Sequence, residues 1–322
     1  MRPIAIAFLV VCFVGAASAD SSKLPTTPND DAWSRLPPKV KKNPALPGWA
    51  RMLAGPLPKT TAKMLELDYL QRAENPLGAA LAAKIRWVTA DAVKSPVGVA
   101  TANLDLARAG VIPANGRFKL PATLPQDEAA ALAFARKLTK AGYTITDDEF
   151  AEVLRHYGPE KTTAIVHTVA YANFHNRIVL GLGVPADDPP LPPLAVAFEP
   201  DGSAAAPVRP SWDELKHAAG DGLSVRVEWT KGFDDLARTL ADQKARKLRI
   251  PLPEPARFEG LAPREKEQAG KILWNTVSSG YQPVMTRAWF ACLSAYYEEA
   301  KVDRVFTNSM FWVVTRTNDC FY

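Results

Sequence analysis

Apolar residues recur at three- and four-residue intervals along most of the chain, which is the spacing of an amphipathic helix. The region 127–185 shows this pattern most clearly and predicts three consecutive helices. The first covers residues 127–141 and stops at Gly142, the second begins after Thr146, and the third runs to about Leu182. We expect the third helix to bury its apolar face against the first two.

Two short motifs mark the ends of the second of these helices. Thr146 stands three residues before Glu149, the spacing at which the two side chains satisfy free backbone N–H groups at a helix start. This capping box predicts the beginning of the helix. Gly158 and Pro159 follow its apolar positions and predict its end.

The same spacing predicts helices on both sides of this region, so the expected fold class is all-α. Three helices lie between residues 56 and 110, with Pro96 in a first turn, where a missing N–H costs little. A proline-rich stretch at 186–210 is interpreted as a linker or a wrapping arm. Further helices are predicted at 212–220, 232–249 and 264–322. Residues 223–229 alternate apolar and polar, and a short strand is the alternative there.

The first nineteen residues have the features of a secretory signal peptide. Arg2 precedes an apolar run at 4–14, and an Ala-Ser-Ala sequence precedes Asp20. The run is shorter than the roughly 20 residues that a membrane-spanning helix needs. We therefore expect a secreted or periplasmic protein whose mature chain begins at Asp20, followed by a proline-rich, disordered arm at 20–47.

Composition excludes some classes of partner. The chain has 322 residues, of which 47% are hydrophobic and 23% charged, as is usual for a soluble globular protein. The net charge of +5 falls by one when Arg2 leaves with the signal peptide. The tight basic cluster Lys39, Lys41 and Lys42 has no interleaved aromatic residues, so we interpret it as solvated. No nucleic acid and no membrane is expected as a partner.

Three segments carry a resemblance to a known family: AFARKLT, ITDDEFAEVL and VAYANFHNRIVLGLGVP. They are similar to the carboxymuconolactone decarboxylase and alkyl hydroperoxidase D-like family, an all-helical group. The similarity is close over 127–185 and looser over most of the chain from Gly48 onward. It implies an alkyl hydroperoxidase D-like helical bundle in two tandem copies. The first copy would be the domain 48–185, with a degenerate site, and the second would be 211–322, incomplete at its C-terminus.

Peroxidases of this family carry two cysteines two residues apart at a helix start, with a histidine after them and a glutamate upstream. The helix dipole and the imidazole lower the thiol pKa, so that a thiolate attacks the peroxide. A faint internal repeat superposes Trp87 on Trp312. The first copy then has Ser95 and Gly98 in place of the cysteines and Ala102 in place of the histidine, which implies a scaffold without redox activity.

The second copy retains Cys320, which the resemblance makes the catalytic residue. Asn308 stands where the upstream glutamate is expected. We expect the partner cysteine and the histidine to lie beyond Tyr322. Without a resolving thiol, an oxidised Cys320 has to wait for an outside reductant, so we expect little or no turnover by this chain.

The resemblance thus implies a cysteine-dependent peroxidase whose partners are a small-molecule peroxide and a thiol reductant. It implies no cofactor and no metal, and a homo-oligomer that is trimeric or larger. Two alternatives stay open: a non-catalytic exported helical scaffold or binding protein, and a cysteine-independent decarboxylase or lactone chemistry.

Four further residues have both a chemical and a structural interpretation. Cys292 lies on an apolar stripe, where a cysteine acts as a small hydrophobic residue. His167 and His175 have no carboxylate or cysteine at ligand spacing, so we assign them structural roles. Arg177 follows Asn176 as in the family's Asn-Arg pair, and a cation at the end of a helix is the alternative.

Overall fold

The computed structural model describes residues 24–38, 43–199, 202–208 and 248–317. These ranges contain eleven α-helices and no β-strand, and 66% of their residues are helical, so the all-α prediction is confirmed. An average globular protein is roughly one-third helical. The helix predicted at 212–220 and the alternative strand at 223–229 lie outside the described residues. None of the helices in the described ranges combines the length and the apolar character needed to cross a lipid bilayer.

The helices follow one another along the chain with short connections. They are α1 (Asn29–Arg35), α2 (Gly48–Leu53), α3 (Pro58–Ala73), α4 (Ala79–Ala92), α5 (Pro96–Arg108), α6 (Gln126–Ala141), α7 (Asp147–Leu182), α8 (Pro263–Lys271), α9 (Leu273–Tyr281), α10 (Pro283–Ala300) and α11 (Arg304–Thr317).

The predicted capping box and helix break are confirmed in α7. The Thr146 hydroxyl accepts a hydrogen bond from the Glu149 N–H at 3.2 Å, and the Glu149 carboxylate accepts one from the Thr146 N–H at 2.8 Å. Gly158 has φ 66° and ψ 174°, a conformation that favours glycine and interrupts the helix. Helix α7 therefore consists of two segments joined by a kink at Gly158.

Helices α4, α6 and α7 share one apolar core. Val88 of α4, Leu132 of α6 and Val169 of α7 are buried in it, together with Val153 from before the kink. The prediction that the three helices of 127–182 bury a common face is confirmed, because α6 packs against both segments of α7 through this core.

The segment 20–47 differs from the expected disordered arm where it is described. Its residues Asn29–Arg35 form α1, and both Trp33 and Leu46 are buried. The Trp33 ring lies 6.2 Å from the ring of Phe198, measured between centroids. The segment is ordered because its few apolar side chains pack against the stretch that follows α7.

The stretch after α7 wraps around the first helices, one of the two possibilities that its prolines left open. The Phe198 N–H donates to the Glu66 carboxylate at 3.1 Å. The Val208 N–H donates to the Gly55 carbonyl at 2.9 Å. These bonds hold the wrapping segment, residues 191–199 and 202–208, along α2 and α3.

The C-terminal helices pack on the N-terminal ones. Helix α10 lies against α3, and α9 lies against α7. The Glu299 carboxylate accepts hydrogen bonds from the N–H groups of Lys59 and Thr60 at 2.6 and 2.7 Å, and from the Thr60 hydroxyl at 2.7 Å. These N–H groups are free donors at the start of α3, where the helix dipole favours a negative charge. A side chain of α10 thereby caps α3.

One predicted helix near the C-terminal end is divided in the structure. The pattern from Ala269 to Val277 suggests a continuous helix, but Ile272 is extended, with φ −143° and ψ 152°. Two side chains of α9 bond to carbonyls at the end of α8: the Asn275 amide to Gln268 at 3.1 Å and the Thr276 hydroxyl to Ala269 at 2.7 Å. These bonds replace the backbone bonds that a continuous helix would make.

Three helices near the N-terminus and three near the C-terminus begin at corresponding positions. Helices α2, α3 and α4 begin at residues 48, 58 and 79, and α9, α10 and α11 begin at 273, 283 and 304. The differences 273 − 48, 283 − 58 and 304 − 79 are each 225. Helices α3 and α10 both begin with a proline, and α4 and α11 both have 14 residues.

A buried network of charges joins the helices of the N-terminal half. The Arg72 guanidinium of α3 donates to Asp105 of α5 at 2.8 and 3.1 Å and to Asp68 at 3.0 Å. Arg86 of α4 donates to the same Asp105 at 2.8 Å. Asp68 in turn accepts a hydrogen bond from the Tyr171 hydroxyl of α7. We name these five residues the buried network.

We expect Arg72→Met to destabilise the protein by about 3–5 kcal/mol, because it leaves Asp68 and Asp105 buried without their main cationic partner. Urea denaturation at pH 7 measures the change. Arg108→Met is the matched control, since Arg108 is exposed on α5; its effect should stay within about 0.5 kcal/mol. Equal effects of the two substitutions would contradict a stabilising role for the network.

Candidate functional site

The predicted catalytic residue, Cys320, lies outside the described residues. Cys292 is the cysteine that the structure describes, and it is buried in the face of α10 that packs towards α2 and α3. Burial raises the pKa of its thiol to about 12. A thiol with such a pKa is almost entirely protonated at neutral pH, so Cys292 is a poor nucleophile. The structural interpretation of Cys292 is thus the better supported one.

The positions that the resemblance assigns to the first copy's cysteines lie at the start of α5. Ser95 is its N-cap, and the Ser95 hydroxyl accepts a hydrogen bond from the Gly98 N–H at 3.1 Å. Ser95 is fully buried. A thiolate at this position would accept the same bond and would be favoured by the helix dipole, but a serine hydroxyl has no redox chemistry.

Gly98 is enclosed on the side from which a larger residue would project. A Cβ atom at this position would lie 2.0 Å from the Asn176 Oδ1 atom and 2.8 Å from the Ala90 Cβ atom. No ordinary contact is that short, so the space beside Gly98 cannot hold a second thiol unless α5 and α7 move apart. Ala102, at the place of the expected histidine, is buried as well.

His175 and Asn176 of α7 lie near this helix start and border the buried network. The His175 ring packs edge-on against Trp49, with 5.4 Å between ring centroids, and lies 5.9 Å from the Tyr171 ring. The His175 Nε2 and Asn176 Oδ1 atoms are buried and have no hydrogen-bond partner within the described part of the chain. The two residues hold α7 against α2 and α5 by packing rather than by polar contacts.

Burial and charge set the protonation of these groups. Burial by itself raises the pKa of Asp68, but the Arg72 guanidinium and the hydrogen bond from Tyr171 outweigh it and lower that pKa below its usual value. Burial lowers the pKa of His175 to about 4, with Asp68 opposing the shift. At neutral pH His175 is therefore uncharged, while Asp68 is ionised.

His167 also has a structural environment. Its Nε2 atom lies 2.9 Å from the Ser278 hydroxyl of α9, and the Trp274 ring lies 5.5 Å away between centroids. Burial lowers the pKa of His167 to about 4. Across the ranges that the structure covers, no three His, Cys, Asp or Glu side chains come together as metal ligands.

A cleft of about 510 Å³ lies between α3, α7 and α10. Leu53, Met64, Phe174, Trp289 and Cys292 form part of its apolar lining. Phe174 and Trp289 meet edge to face, with 5.1 Å between ring centroids, so this part of the lining joins α7 to α10.

Arg177 belongs to the lining of this cleft and is exposed to solvent. It lies five residues before the end of α7 and makes no ion pair or hydrogen bond with any residue in the described ranges. The interpretation of Arg177 as a cation that bonds the carbonyls at the helix end therefore has no contact to support it.

Sequence reasoning missed the buried network and the cleft. A signal for the network exists, because Asp68 and Arg72 stand four residues apart, a spacing at which opposite charges pair on a helix, and Asp105 directly precedes buried Leu106. No sequence signal points to the cleft. Two of its walls, α3 and α10, come from helices that lie more than 200 residues apart along the chain.

Comparison with protein-family models, with curated proteins and with solved structures finds no match to this chain.

We expect Gly98→Ala to destabilise the protein by about 1–3 kcal/mol, because the added methyl group overlaps Asn176 and Ala90. Chemical denaturation measures the loss. The double variant Gly98→Ala/Asn176→Ala should recover part of it, since the Asn176 Oδ1 atom makes no hydrogen bond that the substitution would break.

Gly270→Ala is the matched control for this test. Gly270 also lies in a helix, but an added Cβ meets no atom within 4 Å. This substitution should stabilise the protein by up to about 1 kcal/mol through helix propensity. Similar changes in the free energy of unfolding for both substitutions would show that the close packing at Gly98 has no effect on stability.

The low pKa of His175 predicts a loss of stability in mild acid. As the pH falls from 6.5 towards 4, His175 takes up a proton in the unfolded chain but not in the folded one, so folding is disfavoured by up to about 3 kcal/mol. The lowered pKa of Asp68 affects stability in a different pH range. Ionised Asp68 stabilises the folded protein at neutral pH, and this stabilisation is lost only below about pH 4.

His175→Phe should remove this part of the acid sensitivity while it keeps an aromatic ring against Trp49. Urea midpoints measured at pH 7 and at pH 4.5 for both proteins test the prediction. The wild-type protein should lose more stability than the variant between these pH values. An equal loss would mean that His175 titrates alike in the folded and unfolded chain.

Proposed function

We propose that this chain is an exported, cysteine-dependent peroxidase of the alkyl hydroperoxidase D-like type, in which Cys320 is the residue that reacts with the peroxide. Its partners would be a small-molecule peroxide and a thiol reductant, and it would assemble as a homo-oligomer. The first of its two copies would serve as a scaffold, since Ser95 and Gly98 hold no sulfur.

The observation that carries the proposal is the constant displacement of 225 residues between α2, α3, α4 and α9, α10, α11. Applied to Ser95, the same displacement leads to Cys320. Ser95 is the N-cap of α5 and receives the Gly98 N–H. A cysteine at the corresponding place in a second copy would have its thiol pKa lowered by such a donor and by the helix dipole.

The faces of α4 and α11 support the same correspondence. Ile85 and Val88 of α4 are buried. The residues 225 positions later, Met310 and Val313, are apolar as well and lie on α11, where the side chain of Met310 is exposed. Met310 of α11 is thus exposed at a position whose counterpart in α4, Ile85, is buried.

The proposed chemistry is a two-electron oxidation of sulfur. The Cys320 thiolate attacks the terminal peroxide oxygen, the O–O bond breaks, and the leaving alkoxide takes up a proton to become an alcohol. The sulfur becomes a sulfenic acid. One molecule of reductant thiol then condenses with it and releases water, and a second displaces the Cys320 thiolate from the mixed disulfide.

We expect a stoichiometric dose of hydrogen peroxide to convert Cys320 to a sulfenic acid that dimedone traps and peptide mass spectrometry locates. Cys292 should stay unlabelled, because it is buried and mostly protonated. Labelling at Cys320 should be at least roughly tenfold faster than at Cys292. Cys292→Ala should leave the labelling of Cys320 unchanged.

Steady-state peroxide consumption with dithiothreitol provides the second measurement. We expect the rate of the 322-residue chain to exceed that of Cys320→Ser only slightly, because both thiols that reduce the sulfenic acid must come from free dithiothreitol and not from a neighbouring resolving cysteine. The absence of any dimedone adduct at Cys320 would refute the proposal and favour a non-catalytic binding protein. Rapid turnover that survives Cys320→Ser would place the chemistry at another residue.

A further inference from the structure

We infer that the cleft between α3, α7 and α10 is a binding site for an amphipathic carboxylate, with its apolar chain in the cleft and its carboxylate at Arg177. This inference does not depend on Cys320 or on the proposed peroxidase activity. It rests on the shape of the cleft, on its apolar lining and on one cation that has no partner within the described ranges.

The shape and lining suit an apolar chain. The cleft measures about 510 Å³, within the usual range of roughly 300–1,000 Å³ for small-molecule sites. Apart from Thr60, Arg177 and Tyr296, its lining consists of aliphatic and aromatic side chains, Gly181 and the thiol of Cys292. An extended alkyl chain buries apolar surface on both itself and these walls, which favours binding.

One polar group of the lining, the Thr60 hydroxyl, is already engaged in a hydrogen bond within the protein. The Thr60 hydroxyl already donates to the Glu299 carboxylate at 2.7 Å. The charge of Glu299 is held by two N–H groups at the start of α3 and by this hydroxyl. The end of the cleft near Thr60 is therefore the less favourable place for a second negative charge.

Arg177 is the cation available for a headgroup. Arg177 lines the cleft and is itself exposed to solvent, and no carboxylate among the described residues pairs with it. A guanidinium binds a carboxylate through two parallel hydrogen bonds. Since the cleft supplies one cation, a singly charged carboxylate is matched better than a doubly charged phosphate monoester, which would keep an unpaired charge beside apolar walls.

One residue of the lining, Gly181, can be replaced by a larger residue that fills the cleft without straining the backbone. Gly181 lines the cleft, and a Cβ atom added there meets no atom within 4 Å. Gly181 lies within α7, and its φ is not positive. Gly181→Leu should therefore fold normally and place its side chain in the space that the alkyl chain would occupy.

Isothermal titration calorimetry with decanoate tests the inference on the full chain. We expect saturable binding by the wild-type protein and a loss of affinity of at least about tenfold in Gly181→Leu. Gly270→Leu is the matched control, because Gly270 is a helical glycine with equally open surroundings and no part in the cleft. It should bind decanoate like the wild type.

The headgroup is tested with ligands of the same chain length. Arg177→Gln should weaken decanoate binding about three- to tenfold, a modest factor because Arg177 is exposed. Decyltrimethylammonium should bind the wild-type protein more weakly than decanoate and should be insensitive to Arg177→Gln. Decyl phosphate should bind no more tightly than decanoate.

Three results would overturn the inference: no decanoate binding by the wild-type protein, unchanged binding in Gly181→Leu, or equal effects of Arg177→Gln on the carboxylate and on the ammonium ligand. Urea midpoints of all variants at pH 7 show whether any loss of binding comes from unfolding. Because Cys320→Ser should bind decanoate like the wild type, failure of this site and failure of the peroxidase proposal are distinguished.

Discussion

The pairing of two guanidinium groups with two carboxylates inside the N-terminal helices is the constraint on which the rest of this fold depends. Arg72 and Arg86 share Asp105, and Arg72 also holds Asp68. Each of these groups is expensive to bury alone and tolerable only with its partners in place. The geometry of α3, α4 and α5 is therefore determined together, and Tyr171 adds α7 to the same arrangement. The network also reaches the wrapping segment, because Arg72 donates to the Leu191 carbonyl at 2.8 Å.

A second polar contact extends this body to the C-terminal helices. Glu299 caps the start of α3, and it does so from α10, which lies alongside. The contact fixes α10 at one end while Phe174 and Trp289 meet further along the helices. Between these two contacts the side chains of α3, α7 and α10 do not fill the space, and the apolar cleft results. The polar cap lies at one side of this cleft, since Thr60, which bonds to Glu299, belongs to its lining.

The start of α5 combines a buried serine cap with close packing. Ser95 still accepts the N–H of Gly98, the bond that would stabilise a thiolate. The space that a second thiol would need is taken by Asn176 and Ala90. The start of α5 is therefore a closely packed helix start, and its serine has no redox chemistry. The only described cysteine, Cys292, serves as apolar lining of the cleft and of the core around it.

Local sequence patterns are sufficient to predict the helical class and the limits of α6 and α7, because these depend on neighbours a few residues away. The Thr146–Glu149 capping box, the break at Gly158 and the first-turn Pro96 are local devices, and each has its predicted effect. Features that depend on distant partners follow only from the three-dimensional packing. Trp33 orders a proline-rich segment because Phe198 covers it, and α8 separates from α9 because two side chains bond to its last carbonyls. The candidate cleft belongs to this second group. Met64 and Trp289 are 225 residues apart along the chain, and only the tertiary structure brings them together with Arg177 in one lining.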